Sequence, residues 1–328
     1  FQLKNSTKWV DTPNFEIAGE QIPLLGNTLT QKHINTESLS ELITIKETND
    51  VVSIAQKSFI VSINKKNGLI SSITSNDRKV ILDPIQPCFW RVPTDNDEGG
   101  DNESYAYQWK SAKLNSYSIQ PISFELINIS ENEVMVRIQN HLKFSKTIIK
   151  QYSEYIISSN KQIRVNANFY SDANTPPLPR VGFITSLPLE FDDIEWYGRG
   201  PFESYEDRKE SAFVGRYTST VKEQHFPYIM PQENGNRTDT RWLKVFSGKD
   251  EITVLGAPLF NFTIHDYSPA ELFDAKNSTT LKPGNKIWLN IDLKQMGLGG
   301  DDSWTPRVHN EFLLKEKSYQ LSFVIQFK

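Results

Sequence analysis

Cysteine is almost absent. Cys88 stands alone in 328 residues, which excludes an internal disulfide, and with no CxxC spacing or histidine-rich neighbour it offers no zinc site. A buried, small apolar role is its default. Without disulfides the compartment stays open between the cytoplasm and the bacterial periplasm. No uninterrupted apolar run approaches the ~20 residues that span a bilayer, and FQLKNSTKWV lacks the layout of a signal peptide. Basic runs are missing too: Lys and Arg are scattered and the formal net charge is -4. Neither nucleic acid nor an anionic membrane surface is therefore an expected partner. No repeat of fixed period occurs, which argues against a propeller or a solenoid.

What the chain has in quantity is alternation. With 38% hydrophobic and 12% aromatic residues it can bury a substantial core. From Val51 onward short runs alternate apolar and polar side chains: KSFIVSINKKNGLISSIT, ISFELIN, EVMVRIQ, TIIKQYSEYIIS, QIRVNANFY, RVGFITSL, RWLKVFS, EITVLG, IWLNIDL and SYQLSFVIQF. A period of two reads as half-buried antiparallel strands. In the first run Lys66-Asn67-Gly68 lies between two apolar stretches and predicts a hairpin turn. Trp288, within IWLNIDL, is expected in the core. One helix is predicted at Tyr267-Ser268-Pro269-Ala270-Glu271-Leu272-Phe273, with Ser268 as N-cap, Pro269 in the first turn and Glu271 closing a capping box. The fold class is therefore all-β, a large antiparallel sandwich of two sheets over residues 47–328 with few short helices. Residues 1–46 differ in kind: they are polar, with Trp9 and Ile22 to Leu25 as anchors, and read as the tail of a preceding domain followed by a linker.

Several stretches are too polar and too rich in glycine or proline for strands. In Met296-Gly297-Leu298-Gly299-Gly300-Asp301-Asp302-Ser303-Trp304-Thr305-Pro306, the glycines free the backbone for positive φ. Asp301, Asp302 and Ser303 suit the amides of their own turn, and Pro306 stiffens the exit. A loop of this design holds one thing in place. Trp304 is the candidate, because a flat ring with a polar edge suits the apolar face of a sugar; the alternative is a core tryptophan beside a tight turn. Arg91-Val92-Pro93-Thr94-Asp95-Asn96-Asp97-Glu98-Gly99-Gly100-Asp101 carries a D-x-D-x-G spacing that hints at calcium. It lacks the glutamate that closes an EF-hand loop, so carboxylates bonded to turn amides are favoured there. YGRGPFESYEDR, from Tyr197 to Arg208, has no surrounding βαβ unit and is no dinucleotide loop. In PYIMPQENGNRTDTRW, from Pro227 to Trp242, the residues Glu233, Arg237, Asp239 and Arg241 suit a buried ionic network. Glu233 is also a candidate general acid or base, with a charge pair that holds the loop as the commoner outcome.

Taken together, RVPTDNDEGG, GRGPFESYEDR, PYIMPQENGNRTDTRW and MGLGGDDSWTP resemble, in order and spacing, the C-terminal part of glycoside hydrolase family 2 β-galactosidases of the large bacterial type. The resemblance covers residues 47–328, and residues 1 to about 25 are similar to the last strands of the immunoglobulin-like domain that comes before. It implies a supersandwich similar to galactose mutarotase, the final domain of an enzyme that hydrolyses terminal β-D-galactosides with retention. In that family both catalytic glutamates lie on a β/α barrel, so the resemblance implies no catalytic residue and no metal ligand in this chain. Magnesium and a monovalent cation would be held by the same barrel. The implied partners are those N-terminal domains, a β-galactoside substrate, and further copies in a homo-oligomeric parent enzyme. Trp304 is the implied substrate-binding residue, stacking on the sugar at the pocket mouth. Gly299, Gly300, Asp301, Asp302 and Ser303 would support it, and Gly99, Gly100 and Asp101 would belong to an entrance loop.

Two other functions use some of the same residues. A freestanding carbohydrate-binding module would present the same aromatic platform, although a complete module has no reason to begin with a strand remnant such as FQLKNSTKWV. An aldose epimerase would need a histidine acid facing a glutamate base across the sugar, for which His225 with Glu203 or Glu233 are the candidates. The motifs match galactosidases rather than mutarotases.

Overall fold

The computed structural model describes residues 1–22, 42–302 and 307–328. The chain divides into two units, Phe1–His33 and Ile34–Lys328. In the first, backbone bonds join Leu3 N to Phe15 O and Asn14 N to Leu3 O, both at 2.8 Å. Trp9 is 85% and Ile22 75% exposed, so neither expected anchor is buried; Pro23 to Leu25 lie outside the described residues.

In the second unit the alternation becomes strand after strand. β1 (Thr44–Glu47), β2 (Val51–Gln56), β3 (Phe59–Asn64), β4 (Ile70–Ser75), β5 (Arg78–Ile81) and β6 (Asp83–Cys88) come first, followed by the short helices α1 (Asp95–Glu98) and α2 (Tyr105–Ala112). β7 (Ser118–Ser130), β8 (Glu133–Lys143), β9 (Ile148–Ser158) and β10 (Gln162–Ser171) form a long meander. β11 (Arg180–Leu187), β12 (Asp193–Gly200), β13 (Phe213–Thr220), β14 (Arg237–Ser247), β15 (Asp250–His265), α3 (Pro269–Asp274), β16 (Ile287–Gln295) and β17 (Ser318–Phe327) complete it. All the strand pairings are antiparallel. One layer runs β7-β8-β9-β10-β17-β15-β14-β12-β13. The other runs β1-β2-β3-β4-β6-β11-β16-β15, with β5 folded onto β4.

β15 belongs to both layers. Ile252 to Gly256 pair with β17, and Asn261 to His265 pair with β16. The two expected sheets are thus hydrogen-bonded into one array folded over on itself. Gly256 sits at the crossing, where a Cβ would come within 2.7 Å of the Phe260 ring. Between the layers the core closes through aromatic contacts: Phe59 of β3 lies 5.4 Å from Phe327 of β17. Phe183 of β11 lies 5.8 Å from both Phe169 of β10 and Phe323 of β17. Each such buried ring contributes roughly 1.5–3 kcal/mol of transfer free energy.

Local signals are realised where the backbone alone decides them. Gly68 turns the hairpin at φ +70° and Asn67 Oδ1 accepts the Leu69 amide at 3.0 Å. α3 has Ser268 and Glu271 in the expected reciprocal cap. α2 was not foreseen: Ser104 caps it, and Ala106, Trp109 and Ala112 are buried, with Trp109 Nε1 donating to Pro177 O at 2.7 Å. Trp288 corrects the sequence reading. On β16, Ile287, Leu289 and Ile291 take the core face, so the period of two turns half-buried Trp288, with Asn290 and Asp292, to the opposite face.

Removing one ring from between the layers should cost far more than removing one cap. Phe183→Ala is expected to lower the unfolding free energy by about 3–5 kcal/mol, and Ser268→Ala by about 1 kcal/mol. Urea titration of both variants checks the ratio, and equal losses would mean that the layers do not share one core.

Candidate functional site

The four loop motifs meet. Arg91, fully buried just beyond β6, donates Nη1 to Met296 O at 2.6 Å and Nη2 to Gly297 O at 2.9 Å. Its Nε and Nη2 also reach the carboxylate of Asp97 at 3.1 and 2.7 Å. Asp97 in turn accepts the Thr94 amide at 2.9 Å as part of the α1 capping box. A buried guanidinium is tolerable only with its donors met and its charge paired; here both conditions clamp the start of the glycine-rich loop onto α1. Asn96 Nδ2 adds a bond to Leu298 O at 3.1 Å. Asp207, from the YGRGPFESYEDR motif, accepts the Gly299 amide at 2.8 Å. Gln232, from the PYIMPQENG motif, bonds both the carboxylate and the amide of Asp95, at 3.1 and 3.2 Å.

The glycines are required by this crowding. Gly299 and Gly300 have φ of +68° and +98°. A Cβ on Gly297 would lie 2.5 Å from Asp207 Oδ2, and one on Gly299 2.8 Å from Arg307 O. Asp301 meets the imidazole of His309 at 2.5 Å. That carboxylate raises the His309 pKa. Ser303 and Trp304 lie outside the described residues. A groove of about 510 Å³ is lined by Tyr105, Asp301, Asp302, Arg307, His309 and Leu313 among others. A phenol, carboxylates, an imidazole and a guanidinium around one opening are groups that bond sugar hydroxyls.

The proposed entrance loop stands next to this groove without lining it among the described residues. Gly99 is the C-cap of α1, and Gly100, at φ +96°, opens a single 3-10 turn that contains Asp101 and leads to the Ser104 cap of α2. It is Tyr105, the first residue of α2, that reaches the groove. Two carboxylates of the calcium-like spacing bond protein groups. Asp95 serves Gln232 and Asp97 serves Arg91. Among the described residues no three His, Cys, Asp or Glu side chains are grouped to hold an ion.

A second polar cluster lies beneath α3. Arg180 Nη2 donates to Glu233 Oε1 at 2.7 Å and to Thr263 Oγ1 at 2.8 Å, while Nε pairs with Asp292 Oδ2 at 2.9 Å. Gln295 Nε2 bridges Glu233 and Asn236, both at 3.0 Å. Gly182 faces the cluster because a Cβ there would lie 2.1 Å from Asp292 Oδ1. The expected network of Glu233, Arg237, Asp239 and Arg241 is therefore corrected. Glu233 pairs with Arg180, and Asp239 with Arg199 at 2.6 Å and Lys209 at 3.2 Å. Arg237 and Arg241 lie over the rings of Trp196 and Tyr197, at 5.3 and 5.4 Å. Bulges between Arg237 and Trp242, with Asp239 at φ +51°, break the alternation that would have put these side chains on one face. The epimerase candidates are likewise engaged with other partners. His225 Nδ1 bonds Tyr267 Oη at 2.7 Å, and Glu203 accepts from Arg208 at 2.6 Å and from the Gly235 amide at 2.8 Å.

Sequence reasoning missed Arg91, Arg180 and Asp292 as organisers, and Tyr105, Arg307 and His309 as groove residues. A charge inside an apolar strand run, as in PRVGFITSL and IWLNIDL, was the available signal.

Residues 55–325 match the family described as Beta galactosidase small chain. A β-galactosidase of Vibrio cholerae is 36% identical over 267 residues, covering 80% of this chain and 26% of that protein. One from Pseudoalteromonas haloplanktis is 32% identical over 323 residues, covering 95% of this chain and 30% of that protein. The chain thus spans between a quarter and a third of the length of these relatives. Among solved structures, a GalM/aldose epimerase homologue from C. elegans overlaps with a TM-score of 0.44 at 9% identity, covering 88% of this chain and 99% of that one.

The buried cluster has a pH signature. Burial, and next the negative charge of Glu233, outweigh Arg180 and push the Asp292 carboxyl up to about 8. Folded chain at neutral pH therefore holds a proton that unfolded chain, with a carboxyl near 3.9, has released. This contribution to stability is full below about pH 4 and is lost as pH rises through 8. Asp292→Asn should flatten the fall of the denaturation midpoint between pH 5 and 8. Parallel wild-type and variant profiles would refute the assignment.

Proposed function

The chain belongs to the β-galactosidase small chain family, and from that premise we propose that it is the non-catalytic C-terminal part of a retaining β-galactosidase of glycoside hydrolase family 2. Its task is to complete the sugar pocket of the parent enzyme with Trp304. One observation carries this reading: the glycine-rich loop is held from beneath by Arg91, Asn96 and Asp207, while a polar groove opens beside Asp301 and Asp302. A loop braced so firmly at its base is suited to fixing the position of the side chain it carries. Support also comes from the relatives, which are β-galactosidases three to four times as long as the matched segment.

Retention needs two carboxyl groups about 5–5.5 Å apart across the scissile bond. We assign both to a catalytic barrel in the remainder of the parent, together with its magnesium and monovalent cation. In this chain Glu233 is held in a buried pair with Arg180, and the exposed Asp301 pairs with His309. The substrate is a terminal β-D-galactoside, and the immediate partners are the N-terminal domains. One stacking face contributes only about 1 kcal/mol, which does not offset the cost of association. Galactose should therefore bind the chain alone weakly or not at all.

In the intact enzyme, Trp304→Ala is expected to raise KM about tenfold, with kcat little changed, the mark of lost ground-state binding. The chain by itself should not turn over a chromogenic β-galactoside. Steady-state kinetics of the variant and an assay of the pure chain decide both points. A large fall in the thermal midpoint of the Trp304→Ala chain would instead identify the ring as a core residue.

A further inference from the structure

The loop between Pro227 and Pro231 turns apolar side chains outward. Phe226 is 52%, Ile229 85% and Met230 51% exposed, and Phe202, in the neighbouring motif, is 50% exposed. Single exposed apolar residues are ordinary, but several in one short loop mark an interaction surface. This backbone is tied down. The Phe226 amide donates to Asn234 Oδ1 at 2.9 Å, Tyr228 Oη to Glu203 at 2.5 Å, and the Ser278 amide to Ile229 O at 3.2 Å. Prolines at both ends restrict φ further. The apolar side chains are thus presented by a pre-shaped loop, which lowers the ordering cost of docking.

Position favours one occupant. Gln232 bonds Met230 O at 3.1 Å and Asp95 Oδ2 at 3.1 Å, and Asn96, one residue on, bonds Leu298 O at 3.1 Å. A single glutamine therefore links the apolar loop to the base of the glycine-rich loop, so the two elements form one braced surface. Resting on the function proposed above, in which the glycine-rich loop meets the catalytic part of the parent enzyme, we propose that Phe226, Ile229 and Met230 form an apolar anchor that docks on that same catalytic part. Most of the relatives' length lies outside the segment matched by this chain, which leaves ample surface to cover the patch. Met and Phe are residue types enriched in the dry centre of such interfaces.

Methionine oxidation reads the contact directly, because the chain has three methionines and Met230 is half exposed while Met296 is fully buried. Dilute peroxide followed by peptide mass spectrometry should form Met230 sulfoxide at least tenfold more slowly in the intact enzyme than in the chain alone, with Met296 slow in both. As a second measure, Ile229→Asp should leave the thermal midpoint of the chain alone unchanged but lower that of the intact enzyme. Equal oxidation of Met230 in both forms, in an enzyme that hydrolyses β-galactosides, would overturn the anchor and leave the functional proposal standing. Protection in the chain alone that grows with its concentration would point to a second copy and would also overturn it. An intact enzyme that protects Met230 yet hydrolyses no β-galactoside would sink the functional proposal and keep the contact.

Discussion

The buried guanidinium of Arg91 is the constraint on which the loop architecture depends. A charge fully removed from water must be matched by a carboxylate and by acceptors, or the group would not be there. Asp97 supplies the charge, and the carbonyls of Met296 and Gly297 supply the acceptors. Stretches some two hundred residues apart in sequence are thereby held at hydrogen-bond distance. The same need sets the short helix α1, whose capping box shares Asp97, and it sets the base of the glycine-rich loop.

Arg180 repeats the logic beneath α3 with a different balance. Two carboxylates face one guanidinium, and burial, with the nearby negative charge of Glu233, pushes the Asp292 carboxyl up to about 8 despite Arg180. Such an arrangement costs desolvation and contributes geometry in return: β11, β15 and β16, and the loop that carries Glu233, are registered against each other by it. The two clusters together hold the described parts of these loops in place despite their glycines, prolines and polar composition. Firm placement suits the proposed role of completing a pocket, since small displacements of a positioning group weaken catalysis steeply.

The strand alternation, the Asn67-Gly68 turn and the capped helix at Ser268 could be read from the chain because each is decided within a few neighbouring residues: side-chain period, positive φ, and a local reciprocal hydrogen bond. The motifs of the four loops were equally legible as a set, and the family they indicate is the one the chain belongs to. What those loops touch was not legible. Trp288 sits in a run that looks like core, yet its side is set by which neighbours meet the opposite layer. The partners of Glu233 and Asp239 are distant in sequence, and bulges in β14 scramble the face that alternation would assign. Local chemistry by itself thus determined the elements and their class. Only the tertiary structure, through long-range satisfaction of buried charge, decided which loops share a surface and where β15 crosses between layers.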